Sequence, residues 1–78
     1  MARYYFDVRD GEKFIQDHVG LEIAGVEAAR VEAAKALADM ARDVLPGAIQ
    51  REFAIDVRDS DKQPLLRTTL RYEVQRLK

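Results

Sequence analysis

Arg3-Tyr4-Tyr5-Phe6-Asp7-Val8-Arg9-Asp10 opens the chain, and its last four residues return as Asp56-Val57-Arg58-Asp59. Each copy ends a segment in which apolar and polar residues alternate, a period of two that is typical of a half-buried β-strand. Each copy also runs into turn residues, Gly11-Glu12 after the first and Ser60-Asp61-Lys62 after the second. The repeat therefore predicts two similar β-hairpins, one on each side of the middle of the chain.

The first predicted hairpin joins a strand from about Arg3 to Arg9 with a returning strand over Lys13–Asp17. Asp10-Gly11 supplies turn residues that tolerate a positive φ. Val19–Ile23 follows as an extended connection in which Leu21 and Ile23 face the core.

The middle of the chain, Val26–Leu45, consists mainly of residues with a strong helix propensity. Apolar residues recur in it at spacings of three and four and form one face of the predicted helix. We expect the helix to end at Pro46-Gly47, because proline disfavours helical geometry in the residue before it. The core-facing residues are Val26, Ala29, Ala33, Leu37, Met40 and Val44.

The second predicted hairpin has strands over Glu52–Arg58 and Leu65–Val74 around a turn at about Asp59–Gln63. The fold class is therefore α+β with the order ββαββ, a four-stranded, mainly antiparallel sheet carrying one long helix on one face. A right-handed crossover favours the strand order 2-1-3-4, with the two repeated segments side by side at the centre. The sheet residues expected beneath the helix are Tyr4, Phe6, Val8, Phe53, Ile55, Val57, Leu66, Leu70, Tyr72 and Val74.

Composition limits the class of protein. The 78 residues are expected to form one domain over 1–78, and the absence of cysteine excludes disulfides and thiolate metal sites. A net charge of −1 argues against a bulk nucleic-acid binder, and no apolar run approaches a membrane span of about 20 residues. We therefore expect a cytoplasmic protein with no membrane partner. We also expect self-association, because the core of a chain this short supplies little stability by itself.

A resemblance supports this outline. The opening motif Arg3–Gly11 is similar to that of a family described only as a domain of unknown function, whose members are short single-domain proteins of rhizobial-type bacteria. Further segments carry the resemblance along nearly the whole chain: Asp17…Gly20-Leu21-Glu22, Glu27-Ala28-Ala29-Arg30…Glu32-Ala33, and Glu52-Phe53…Ile55…Val57-Arg58-Asp59. The chain departs from the pattern at Gly25, where similar proteins usually have an aspartate that can cap the helix. The resemblance implies no activity, cofactor or catalytic residue.

Residues with catalytic or metal-binding chemistry are scarce. His18 is the only histidine, and Asp17 is its only polar neighbour in sequence that can assist it. A zinc or general-base site needs more ligands than these, so we interpret His18 as a surface-loop residue. The four glycines are scattered at turns and ends and form no phosphate-binding loop. We therefore predict no catalytic residue, no cofactor and no metal, and expect that the protein is not an enzyme.

The sheet face opposite the helix is predicted to display charged residues around an exposed Tyr5. Arginines beside a tyrosine resemble the stacking surfaces of RNA-binding sheets, although the arginines, with Arg76 at the strand end included, exceed the acids by only two. Cross-strand ion pairs explain the same residues more simply. The residues expected on this face are Arg3, Tyr5, Asp7, Arg9, Glu52, Asp56, Arg58, Arg67, Thr69, Arg71 and Glu73.

Two further surfaces are candidates for interaction. Val31, Ala34, Ala38 and Leu45 form a second apolar line on the helix, with Ala41 between it and the core face. Its small side chains would allow another helix or a sheet edge to approach closely. The alternative interpretation is that alanine occurs there only because it is a good helix former. The fourth predicted strand is the other candidate, since it is long and forms an edge of the sheet. Only Arg67 and Arg71 on it discourage pairing with a strand of another chain. Arg30, close to the core face, is expected to pair with Glu22 or Asp17.

These features predict a non-enzymatic interaction or regulatory domain that forms a homodimer, with the possible interaction surface at Val31, Ala34, Ala38, Leu45, Tyr5, Arg67 and Arg71. The alternative is a nucleic-acid-binding module that uses the arginine-bearing face, a partner class that the charge balance disfavours. A third hypothesis is an antitoxin-like protein that binds another protein, a small toxin, suggested by fold-level analogy alone.

Overall fold

The computed structural model describes all 78 residues. Five strands and one helix make an α+β fold, as the sequence predicts. In chain order they are β1 (Ala2–Asp10), β2 (Lys13–Ile15), β3 (Leu21–Ile23), α1 (Val26–Val44), a 3₁₀ turn (Leu45–Gly47), β4 (Gln50–Arg58) and β5 (Pro64–Glu73).

All neighbouring strands of the sheet are antiparallel, along the path β2-β1-β4-β5. This path keeps the predicted succession of the two hairpins, with the repeated segments on adjacent central strands. The sheet differs from the prediction by a fifth strand, because β3 also pairs with β1, Ala2 opposite Ile23. The predicted extended connection forms this strand because β2 is short and leaves the first half of β1 with a free edge. Ile23 is buried as predicted, whereas the prediction for Leu21 is wrong, since its side chain is 46% exposed.

The helix packs chiefly on β4 and β5. Ala29, Ala33 and Leu37 are buried as predicted, and so is Ala41. Val26, by contrast, is 46% exposed and does not belong to the core. The helix has no side-chain cap at Gly25, so its start relies on packing and not on a capping hydrogen bond.

The helix-facing side of the sheet supplies the other half of the core. Tyr4, Phe53, Ile55 and Val57 are buried, while other residues predicted there are only half-buried: Phe6, Val8, Leu66, Leu70 and Tyr72. The prediction for Val74 is wrong, since β5 ends at Glu73 and Val74 lies 40% exposed beyond it. Only 11 of the 78 residues are buried, so the core of a single copy is small.

Candidate functional site

The two Asp-Val-Arg-Asp segments meet across the centre of the sheet, with Asp7 directly opposite Asp56. Each segment sends its arginine to the other segment's aspartate. Arg58 Nε donates to Asp7 Oδ2 at 2.6 Å, and Arg9 Nε donates to Asp56 Oδ2 at 3.1 Å. The two repeated segments therefore form two reciprocal ion pairs across the sheet. These pairs lie on the sheet face opposite the helix, which we call the open face.

Asp7 is the one buried charged residue, at 4% exposure. Besides the Nε bond, Arg58 Nη2 donates to Asp7 Oδ1 at 3.0 Å, and the Asp17 backbone N–H donates to the same oxygen at 2.9 Å. Burial alone raises the pKa of the Asp7 carboxyl, but these hydrogen bonds outweigh it and hold the pKa below its ordinary value. The face of Asp7 was predicted correctly and its exposure was not, because the chain between β2 and β3 covers it. We call these residues, 16–20, the β2–β3 segment.

Asp17 holds that covering segment in place. Its carboxylate accepts hydrogen bonds from the backbone N–H groups of Phe6 at 3.0 Å, Val19 at 2.9 Å and Gly20 at 3.1 Å. The Phe6 N–H lies at the edge of β1, between the stretches that pair with β2 and β3, and the bond to Asp17 supplies the acceptor that neither strand provides. Burial raises the pKa of Asp17, yet the three backbone hydrogen bonds more than compensate and lower it. The predicted second strand stops at Ile15 because Asp17 turns the chain here.

Gly20 is the residue at which the same segment packs closely on the Arg3 and Tyr5 side chains of the open face. It has a φ of +77°, and a Cβ placed on it would lie 2.8 Å from Arg3 Cγ and 3.0 Å from Tyr5 Cε1. A side chain would therefore be strained both in its backbone and in its contacts. The sequence signal for this arrangement is the spacing of Asp17 and Gly20. The prediction placed Asp17 at the end of the second strand and Gly20 in the connection that follows.

Tyr5 is half-buried, so the expectation of an exposed tyrosine is wrong. The Arg58 guanidinium lies over its ring, 5.1 Å from the centroid, in a cation–π contact. The Gly20 backbone also approaches the ring edge. Tyr5 therefore serves to pack the β2–β3 segment onto the sheet.

Arg67 and Arg71 stand on the open face of β5 and are exposed, as predicted. Arg67 donates two hydrogen bonds to Asp56, which also binds Arg9, and Arg71 donates to Glu52. The hydrogen bond from Arg67 lowers the pKa of Asp56, against the opposing effect of burial, and Arg9 adds to the lowering. One carboxylate thus serves two arginines, beside a shallow depression of about 230 Å³ over Ala54 and Thr69.

The second apolar line of the helix is only partly as predicted. Val31, Ala34 and Ala38 are exposed, but Leu45 is half-buried and packs against the core cluster. Leu45 departs from the line because the α-helix ends at Val44 and Leu45 begins the tighter 3₁₀ turn.

Arg30 and His18 lie outside these surfaces. Arg30 pairs with Glu27 at 2.6 Å on its own helix, so the prediction of Glu22 or Asp17 as its partner is wrong. His18 is exposed in the β2–β3 segment. No group of three or more histidine, aspartate or glutamate side chains is arranged to hold a metal ion.

The helix α1 lacks the combination of length and apolar character that crossing a membrane requires. No curated protein and no solved structure matched the chain. A family model did match, over residues 3–71, which include both Asp-Val-Arg-Asp segments, the Asp17–Gly20 segment and the helix. The chain therefore belongs to the DUF6894 family, a domain of unknown function.

Proposed function

We propose that this protein is a non-enzymatic interaction domain that acts as a homodimer, joined through the outer edge of β5. The observation that carries the proposal is that β5, a strand of ten residues, pairs with β4 on one side only. Its other side presents a row of backbone N–H and C=O groups, which is a ready template for a further strand.

The burial of the β5 side chains supports the same partner. Residues on the helix-facing side of β5 are half-buried while those on the open face are exposed. A second β5 alongside would cover the outer flank of the half-buried residues and enlarge a core that is small in one copy. The residues that gain cover are Leu66, Thr68, Leu70 and Tyr72.

Light scattering on a size-exclusion column tests the dimer. At micromolar concentration we expect twice the chain mass of 8.9 kDa. A single species of one chain mass contradicts the proposal.

A matched pair of variants separates the β5 edge from the helix line. Thr69→Lys and Ala38→Lys each add one positive charge at an exposed position. Thr69→Lys places that charge near the arginines of a paired β5, where like charges destabilise, so we expect the dimer dissociation constant to rise at least about tenfold. Ala38→Lys should leave it unchanged. The opposite result would place the interface on Val31, Ala34 and Ala38.

The second candidate function is nucleic-acid binding on the open face. It is supported by the sharing of Asp56 between Arg9 and Arg67, which leaves an excess of positive charge there. Titration of single-stranded and duplex oligonucleotides at low salt tests it, because low salt maximises attraction to phosphates. No binding under these conditions contradicts it.

We also propose a cytoplasmic location, supported by the lack of cysteine, since disulfides are common in proteins of oxidising compartments. Fractionation of cells that express the chain tests this, and recovery outside the cytoplasmic fraction contradicts it.

A further inference from the structure

The Thr68 hydroxyl is the one buried side-chain polar atom with no hydrogen-bond partner. It lies in the middle of β5, on the helix-facing side, opposite Ile55 of β4. Buried hydroxyls are normally paired, because each loses its bonds to water on folding. Within one chain the central residue of β5 is therefore left incomplete.

The alternation of β5 restricts how two copies can pair. Side chains directly opposite one another in an antiparallel pair lie on the same face. In β5 the even-numbered residues face the helix. The helix-facing sides of two copies therefore form one continuous surface only when even-numbered residues lie opposite even-numbered residues. Four central registers meet this condition, with a two-fold axis at Arg67, Thr68, Thr69 or Leu70. The register centred on Arg67 sets this arginine opposite the partner's Arg67 and is disfavoured, because like charges directly opposite one another destabilise a strand pair.

The register centred on Thr69 sets Arg67 opposite the partner's Arg71, on both sides of the axis. Like charges directly opposite one another destabilise a strand pair. Each arginine is bound to one carboxylate of its own chain, and Asp56 is already shared with Arg9. This register is therefore disfavoured.

The register centred on Leu70 has one favourable contact, Arg67 opposite the partner's Glu73. It pairs β5 residues only from Arg67 to Glu73, so the start of the strand, including the half-buried Leu66, overhangs. It also sets Thr68 opposite the partner's Tyr72 and not opposite a second hydroxyl at the same depth.

We propose that two copies pair β5 with β5 around a two-fold axis at Thr68. This inference rests on the proposed function and names its interface. Thr68 lies opposite the partner's Thr68, and its hydroxyl is enclosed by its own chain in one copy. A change of the χ1 rotamer in each copy brings the two hydroxyls towards one another, and since a hydroxyl both donates and accepts, they can then bond to each other. Leu66 lies opposite the partner's Leu70, once on each side of the axis. These contacts cover leucine side chains that are half-buried in one copy. Arg67 lies opposite the partner's Thr69, so no like charges are opposed.

Cross-linking tests the register, because the chain contains no cysteine and each variant introduces a single thiol. In the proposed register, the two Thr68 Cα atoms are about 4.5–5.5 Å apart, which falls within the range of about 4.4–6.8 Å for a disulfide. The two Leu70 Cα atoms are about 14 Å apart, four residues along the strand. We expect Thr68→Cys to form a disulfide-linked dimer on mild oxidation and Leu70→Cys to remain unlinked.

The results distinguish this inference from the proposal on which it rests. A dimer in light scattering that cross-links through Leu70→Cys and not through Thr68→Cys overturns the register alone. A species of one chain mass overturns both. Circular dichroism establishes that each variant is folded.

Thr68→Val gives a second measurement that needs no oxidation. Valine keeps the shape of threonine and removes the hydroxyl. If the two hydroxyls bond to each other, the dimer dissociation constant should rise about five- to tenfold. If the hydroxyl stays unpaired in the dimer, the variant should leave that constant unchanged or lower it, and this result overturns the inference. Thr69→Val, on the exposed face, is the control and should have no such effect.

Discussion

Arg58 and Asp7 form a two-armed ion pair, at 2.6 and 3.0 Å, between the third residue of one Asp-Val-Arg-Asp segment and the first residue of the other. Their side chains are 11% and 5% exposed, which makes this the most buried of the ion pairs. The Arg58 guanidinium also donates to the Asp17 carbonyl and lies over the Tyr5 ring. This pair therefore links β1, β4 and the β2–β3 segment.

Asp7→Asn tests that link. The substitution leaves the Arg58 charge buried without its counter-charge, and removing one partner of a buried pair typically costs about 3–5 kcal/mol. We expect a loss of this size in the free energy of unfolding, measured by urea denaturation at a fixed protein concentration. The control is Arg71→Leu, which breaks an exposed pair with Glu52 and should change stability by less than about 0.5 kcal/mol. Equal effects would show that the buried pair contributes no more than a surface pair.

Gly20→Ala tests the closure of the β2–β3 segment. Alanine there must adopt a φ of +77° and also push its Cβ against Arg3 and Tyr5. Gly11→Ala is a matched control, because Gly11 also has a positive φ, +62°, but a Cβ there meets nothing within 4 Å. We expect the Gly11 variant to lose about 1–2 kcal/mol from its backbone conformation, and the Gly20 variant to lose clearly more. Thermal melts of both variants measure the difference, and equal losses would contradict the close approach.

The alternation of polar and apolar residues was sufficient to predict both hairpins and the face of nearly every strand residue, because side chains in a strand point to opposite sides in turn. It was not sufficient to predict what covers each face. Asp7 was correctly assigned to the open face, yet its burial depends on a hydrogen bond from the Asp17 backbone, ten residues away. Contacts of this kind arise from the path of the loop and leave no periodic signal.

The fifth strand and the helix end have similar explanations. β3 forms because a short β2 leaves part of the β1 edge unpaired, a condition that depends on where the first hairpin stops. Leu45 left the predicted helix line because the last turn tightens before Pro46. The helix was predicted as an element and β3 only as an extended connection, and in both cases tertiary contacts set where the element begins or ends.

Ile55→Ala and Phe6→Ala compare two core residues that the sequence treats alike. Ile55 is 1% exposed, whereas Phe6 is half-buried at the part of the sheet that the helix covers less well. We expect Ile55→Ala to cost about 2–5 kcal/mol in unfolding free energy, measured by urea denaturation. Phe6→Ala should cost less despite removing the larger side chain, because part of that side chain already contacts water. A larger loss for Phe6 would mean that another chain covers it in solution.

Asp17→Asn tests the dependence of stability on pH. Hydrogen bonds hold the pKa of Asp17 in the folded protein below its ordinary value of 3.8. A carboxyl with a lowered pKa stabilises the fold at pH values above 3.8, and this stabilisation is lost as the pH falls through the folded-state pKa. The introduced asparagine has one acceptor oxygen fewer and carries no charge, so we expect the variant to be less stable than the wild type at pH 7.

The difference between Asp17→Asn and the wild type should shrink as the pH falls below 3.8, because the unfolded wild-type chain then binds a proton at Asp17 that the folded chain takes up only at a lower pH. Unfolding free energies at pH 7, 4 and 3 measure the effect. Asp61→Asn, in the exposed β4–β5 turn, is the control and should follow the wild type. A constant difference between Asp17→Asn and the wild type at all three pH values would mean that the hydrogen bonds, and not the charge of Asp17, hold the segment.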